Sequence, residues 1–215
     1  MASRWLFLLV LAAAPADTEI VDRLVASVGR QALTESDLLR EIRLHALLNG
    51  TPADFSPASK RPVLERMIER ALIRREMEMS RHPAPEAGAV DGYLNEVKKT
   101  RFGSEAAYRE QLSKYGIREE EFRQYLAEQV AVAGFLQVRF RPGVQVTESE
   151  SLEYYQNHLL PEWQNRTGEA PPSFEEARPQ IEAILAGQRV DRLVDQWLKE
   201  ARSQTRIEIR EKALE

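Results

Sequence analysis

The sequence predicts a mainly α-helical, multi-helix fold closed by a small β-sheet formed by the amino-terminal hairpin and a carboxy-terminal strand. Three observations point to the helices and the sheet. Apolar residues recur at spacings of three and four through most of the chain. Hydroxyl residues followed three positions later by a carboxylate, as at Thr34 and Ser173, mark helix starts. Strand-like patterning occurs only near the two ends, over residues 20–28 and 205–210.

Residues 20–28 are apolar and β-branched. Gly29-Arg30-Gln31 can turn the chain, and Ala32-Leu33 begins a short return, which makes a hairpin. Thr34-Glu35-Ser36-Asp37 forms a capping box, and Leu38, Ile42 and either His45 or Ala46 follow at helical spacing until Asn49-Gly50-Thr51-Pro52 stops the helix. From Ser59 to about Ser80, Leu64, Met67, Ile68, Ala71, Leu72 and Met79 make a long amphipathic helix, broken by His82-Pro83-Ala84-Pro85. Val90, Tyr93, Leu94 and Val97 form one stripe of the next helix, which Phe102-Gly103 ends. Ser104-Glu105 opens a short helix carrying Tyr108, Leu112 and Tyr115, closed by Gly116.

The helix over residues 118–141 keeps Phe122, Tyr125, Leu126, Val130, Ala133, Leu136 and Phe140 on one side. Between Val130 and Leu136 nearly every position is apolar, so it is expected to be a central helix buried all round. Thr147 caps a helix with Leu152 and Tyr155 that is expected to run out at His158-Leu159-Leu160-Pro161, and residues 161–172 read as a linker or surface loop. Ser173-Phe174-Glu175-Glu176 repeats the capping box. Ile181, Ile184, Leu185, Leu193, Val194, Trp197, Leu198 and Ala201 then give a core stripe, with Gly187 a candidate irregularity. Thr205 to Arg210 alternates charged and apolar residues, as a strand with one buried face does. A lone strand is not stable, so the two ends of the chain are expected to meet in one sheet.

Met1 to Arg4 is short and ends in a cation, Trp5 to Ala14 is apolar, and Ala14-Pro15-Ala16 offers small residues to a signal peptidase. Residues 1–16 therefore read as a cleavable secretory leader, too short in its apolar run for the roughly 20 residues that span a bilayer. Stable membrane insertion is not expected, and a periplasmic location is. The chain has 215 residues, no Cys and a formal charge of −4, with Lys+Arg 30 against Asp+Glu 34. The absence of Cys excludes disulfides, thiol nucleophiles and Cys-ligated metal, and the lack of basic excess argues against a nucleic-acid partner. The three His are far apart, with no H-E-x-x-H pair, and the nucleophile elbow, phosphate loop and dinucleotide turn are missing, so no catalytic residue, metal site or cofactor is expected. Glu119-Glu120-Glu121 sits where a helix dipole favours anions.

Val21-Asp22-Arg23-Leu24-Val25-Ala26-Ser27-Val28-Gly29 through Leu38 closely resembles the start of the SurA-type periplasmic chaperones. Gly103-Ser104-Glu105, Tyr108, Leu112, Tyr115-Gly116-Ile117, Glu120-Glu121-Phe122 and Tyr125-Leu126 are similar to that family's middle helices. Val146-Thr147-Glu148 with Tyr154-Tyr155 and His158 looks like the helix that ordinarily leads into a parvulin-type prolyl isomerase domain. Ser173 through Ile181, with Trp197, Ile207 and Ile209, looks like the closing helix and strand. Only residues 159–172 occupy the place of the isomerase domain. The resemblance therefore implies a domain of the SurA and trigger-factor peptide-binding type, with a helical chaperone core over residues 17–158 after the leader, a linker over 159–172, and residues 173–215 completing the same core.

It further implies an ATP-independent chaperone without isomerase activity, binding unfolded outer-membrane or secreted polypeptides. The alternatives are an adaptor for one envelope partner and a residual prolyl isomerase. Tyr93, Phe102, Tyr108, Tyr115, Phe122 and Tyr125 are the candidate peptide-binding residues, since aromatic rings offer large contact area at modest entropy cost, although their helical spacing also suits a core. Met67, Met77 and Met79 admit the same two roles. Arg66, Arg70 and Arg74, interleaved with glutamates, read as a solvated mixed face.

Overall fold

A computed structural model describes residues 22–166 and 170–215; the leader expected over residues 1–16, and with it the beginning of the expected first strand, lies outside the described residues. Strands β1 (Leu24–Val28) and β2 (Gln31–Thr34) form an antiparallel hairpin, with a register shift between Leu24 and Ala26. The carboxy-terminal strand β3 (Ile207–Ile209) lies antiparallel on the other side of β1, giving the order β2-β1-β3. Gly29 donates its amide to Arg206 O at 2.8 Å and Arg210 donates to Val25 O at 2.8 Å, so both ends of the short strand are fastened. The chain ends therefore meet as the alternation at Thr205 to Arg210 predicts.

Helix α1 (Glu35–Asn49) starts at Thr34, whose hydroxyl accepts from the Asp37 amide while Asp37 accepts from the Thr34 amide. It ends on Gly50 at φ +65°, a left-handed cap that a side chain would strain. Helix α2 (Pro57–Met79) begins two residues earlier than its apolar pattern suggests, because Ser56 caps it and Pro57 fits the first turn, where no amide is needed. Helix α3 (Ala87–Val97) passes into a π-helical turn over Lys98–Phe102, then α4 (Glu105–Tyr115) runs between the Ser104 cap and Gly116. Helix α5 (Glu119–Phe140) follows. Helix α6 (Glu148–Tyr154) starts at a Thr147–Glu150 capping box, and α8 (Phe174–Ser203) at the Ser173–Glu176 box. The capping hydrogen bonds hold the Glu150 and Glu176 carboxyls below their ordinary range, chiefly through Thr147 and Ser173. Gly187 does not interrupt α8.

The expected end at Pro161 is not observed. The chain passes through a second π-helical turn, Tyr155–Leu159, into helix α7 (Leu160–Arg166), so the segment read as linker is helical as far as Arg166. Pro161 is the second residue of α7, and the wider turn before it already departs from the α-helical bonding that proline would interrupt.

Two apolar clusters carry the fold, and α1 contributes to both. The first joins the sheet to α1, α2 and the final residues through Val25, Leu33, Leu38, Leu64, Ile68 and Leu214. Lys60, itself buried, donates from Nζ to Leu214 O at 3.3 Å. The second packs the end of α1 against α3, α4 and the start of α5 through Leu44, Leu94, Tyr108, Leu112, Phe122 and Leu126.

Beyond that second cluster α5 is not buried all round. From Val130 to Phe140 only Phe135 is buried, Ala133, Gly134 and Val138 are exposed, and the remaining apolar side chains are half-covered. The reason is geometric: α2 and α8 lie against α5, and among the described residues its outer surface in this half stays open. Four further positions of the expected apolar stripes also face out, Met79 on α2, Tyr93 on α3 and Ile184 and Leu193 on α8.

Candidate functional site

The six candidate aromatics separate into three settings. Tyr108 and Phe122 are fully buried, with ring centroids 5.9 Å apart, and Phe102 meets them edge-on at 5.4 and 6.4 Å. Lys98 closes this layer. Its Nζ lies 4.2 Å from the Tyr108 centroid and pairs with Glu105 at 3.2 Å and Glu119 at 3.3 Å. Burial, reinforced by Glu119 and Glu105, pushes the Tyr108 hydroxyl well above its ordinary pKa. These rings join α3, α4 and α5, and Tyr108 and Phe122 reach solvent only if those helices part.

Phe102 and Tyr115 are half-buried along a shallow cleft of about 470 Å³ beside Gly50 and Gln111. The Tyr115 hydroxyl donates to Thr51 O at 2.8 Å. Tyr125 lines a different cleft, of about 390 Å³, between α1, α2 and α5, whose apolar part is Leu33, Leu44 and Met67. Tyr93 stands exposed on α3, within electrostatic reach of the Tyr125 hydroxyl.

The polar lining of the Tyr125 cleft is an ion-pair network. Arg70 donates from Nη1 to Glu41 Oε2 at 3.0 Å and from Nη2 to Glu41 Oε1, and its side chain is 16% exposed against 12% for Glu41. Glu128 stands 3.9 Å from Arg70 and is bonded to Arg74, while the Arg70 guanidinium lies 5.6 Å from the Tyr125 centroid. Burial first, and then the Glu41 charge, push the Tyr125 hydroxyl up to about 12, so it remains a protonated donor at neutral pH. The arginine stripe of α2 is therefore not uniform. Arg66 is exposed as expected, whereas Arg70 is drawn inward to glutamates on α1 and α5. Cleft and network together set apolar contact surface beside hydrogen-bond donors and acceptors.

The His residues are engaged singly. His45 bonds Asn49, His82 meets Phe135 edge-on at 5.3 Å, and His158 stacks on Tyr154 at 4.9 Å. Among the described residues no group of three His, Cys, Asp or Glu could hold a metal ion.

Sequence patterning missed the apolar surface around the second half of α5. Trp197 on α8 contacts Phe135 and Phe140 at 6.5 and 6.0 Å, and the Arg139 guanidinium lies within about 6 Å of all three rings while bonding Glu76 at 3.2 Å. Beside this cluster Met79, Trp197 and Ala201 line a cleft of about 290 Å³. Met79 is 63% exposed and Val138 69%, far more than core residues of these types tolerate, and Leu193 and Ile184 add apolar surface on α8. The signal lay in the run from Val130 to Leu136, but an apolar circumference says that a helix has something to cover, not that its own chain covers it.

No protein-family model matches the chain. It is similar to the protein named Chaperone SurA of Alkalilimnicola ehrlichii, 26% identical over 200 residues, an alignment covering 84% of this chain and 45% of that protein. The chain thus spans less than half the length of the relative it matches. Among the described residues no helix is long and apolar enough to cross a membrane.

Proposed function

We propose that this protein is an exported, ATP-independent chaperone that holds unfolded outer-membrane or secreted polypeptides in the periplasm and has no prolyl isomerase activity. The observation that carries the reading is the apolar surface left open on the second half of α5 and on α8, in a chain similar to a chaperone. Isolated exposed apolar residues are ordinary, but Met79, Val138, Ile184 and Leu193 belong to three helices that pack together around the Phe135–Trp197 contact.

Mechanistically, an unfolded client lays apolar side chains on this surface. The Tyr125 cleft, and Tyr93 beside it, supply further contacts, with the tyrosine hydroxyls hydrogen-bonding client main chain without reading its sequence. Binding is weak at each point, so the client's own folding competes for the same apolar groups and releases it without nucleotide. The elements after residue 173 complete the same chaperone core, since β3 and α8 pack onto the amino-terminal sheet and α2.

The test is dilution of a urea-unfolded outer-membrane protein into buffer with the mature chain at stoichiometric excess, followed by light scattering. Scattering is expected to fall in proportion to added protein. Unchanged scattering would remove the reading, and acceleration in a proline-peptide isomerisation assay would remove its non-enzymatic part.

A further inference from the structure

A second cleft on α8 has a different character. Its lining combines apolar Val144 and Leu193, the amides of Gln145 and Gln196, and two cations, Arg189 and Arg192, with a volume of about 530 Å³ between the turn after α5 and the middle of α8. No carboxylate lines it. Asp191 and Asp195 lie close in sequence but are not part of the lining. Arg189 is already committed to Glu150. Arg192 is exposed and, among the described residues, pairs with no carboxylate. The site is thus locally cationic in a protein whose formal charge is −4, and its free cation stands next to a 39% exposed leucine.

We propose that this cleft takes an extended client segment carrying an acidic side chain next to an apolar one. The carboxylate pairs with Arg192, the apolar side chain covers Leu193 and Val144, and Gln145 and Gln196 bond the client main chain. The inference rests on the chaperone reading and adds a preference to it: clients are sorted by where their acidic residues fall, not by apolar content alone. Charge complementarity favours a peptide over an anionic membrane, because the net negative charge of the whole chain opposes approach to an anionic sheet while a single carboxylate meets only the local field.

The experiment uses the mature chain and two fluorescent decapeptides of identical apolar content, one with two aspartates and one with asparagines in their place, read by anisotropy at low and high salt. The aspartate peptide is expected to bind roughly three- to fivefold more tightly at low salt, the range of an exposed ion pair, with the preference shrinking as salt rises. Arg192→Ala should equalise the two peptides and Arg192→Glu should invert their order, with circular dichroism showing both variants folded. Equal affinities in the wild type would overturn the inference and leave the chaperone reading standing, whereas no binding of either peptide would overturn both. A preference that survives Arg192→Ala would overturn the assignment of the site. So would Arg192-dependent sedimentation with phosphatidylglycerol vesicles unaccompanied by any peptide preference.

Discussion

Phe122→Ala is expected to cost about 3 to 5 kcal/mol, the range for truncating a large aromatic side chain in a packed interior. Phe122 is fully buried and contacts the rings of Tyr108 and Phe102, within a cluster that also holds Leu94, Leu112 and Leu126. Three helices converge on it, so neighbours cannot collapse into the space without giving up their own contacts. In a chain of this length the loss corresponds to a fall in melting temperature of roughly 6 to 20 °C. Val138→Ala, on the same helix but at a 69% exposed position, should change stability by no more than about 0.5 kcal/mol. Thermal unfolding of the two variants side by side checks both values, and a Phe122→Ala loss under about 1 kcal/mol would mean that the second cluster is not a packed core.

Arg70→Ala is expected to cost roughly 2 to 3 kcal/mol, somewhat less than the 3 to 5 kcal/mol seen when a wholly buried pair loses one partner, because this pair keeps some contact with water. The cost comes from what is left behind: Glu41 loses both of its guanidinium bonds, and Glu128 loses a nearby cation. Arg70→Lys restores the charge but not the two-pronged geometry and should recover only part of the loss. Combining Arg70→Met with Glu41→Gln should cost less than the sum of the two single changes, since neither charge is then stranded. Denaturant unfolding of Arg70→Met, Glu41→Gln and the double variant beside the wild type measures the coupling; strict additivity would show that the network does not hold α2 to α1.

Local chemistry was legible in the sequence where it acts over three or four residues. Thr34 with Asp37 and Ser173 with Glu176 form the reciprocal bonds their spacing predicts, Thr147 caps its helix as expected, and Gly50 and Gly116 close helices in the left-handed conformation. The alternation ending the chain was equally readable, and a sheet joining the two ends followed from the scarcity of other strands, whereas the choice of β1 over β2 as the partner of β3 did not. Properties that depend on a distant element were not. Periodicity places Tyr93, Ile184 and Leu193 on apolar stripes, but only the positions of the neighbouring helices decide that these side chains stay open while Leu94 and Ile181 are covered. Nothing local separates Arg70 from Arg66, because their partners lie on other helices. The continuation past Pro161 depends on the π-helical turn before it, which leaves no mark in an apolar pattern. The candidate aromatics show the same limit: their spacing is identical for a ring in the core, such as Tyr108, and one in solvent, such as Tyr93.

The claim that unfolded clients bind the open face of α5 and α8 is tested most directly by photocrosslinking. Benzoylphenylalanine is placed in turn at Val138, Leu193, Tyr93 and, as a control on an exposed polar position, Lys199, and the protein is irradiated with a urea-diluted outer-membrane protein present. Strong crosslinks from Val138 and Leu193, weaker ones from Tyr93 and none above background from Lys199 are the expected pattern. Client crosslinks absent at Val138 and Leu193, or no stronger there than at Lys199, would contradict it.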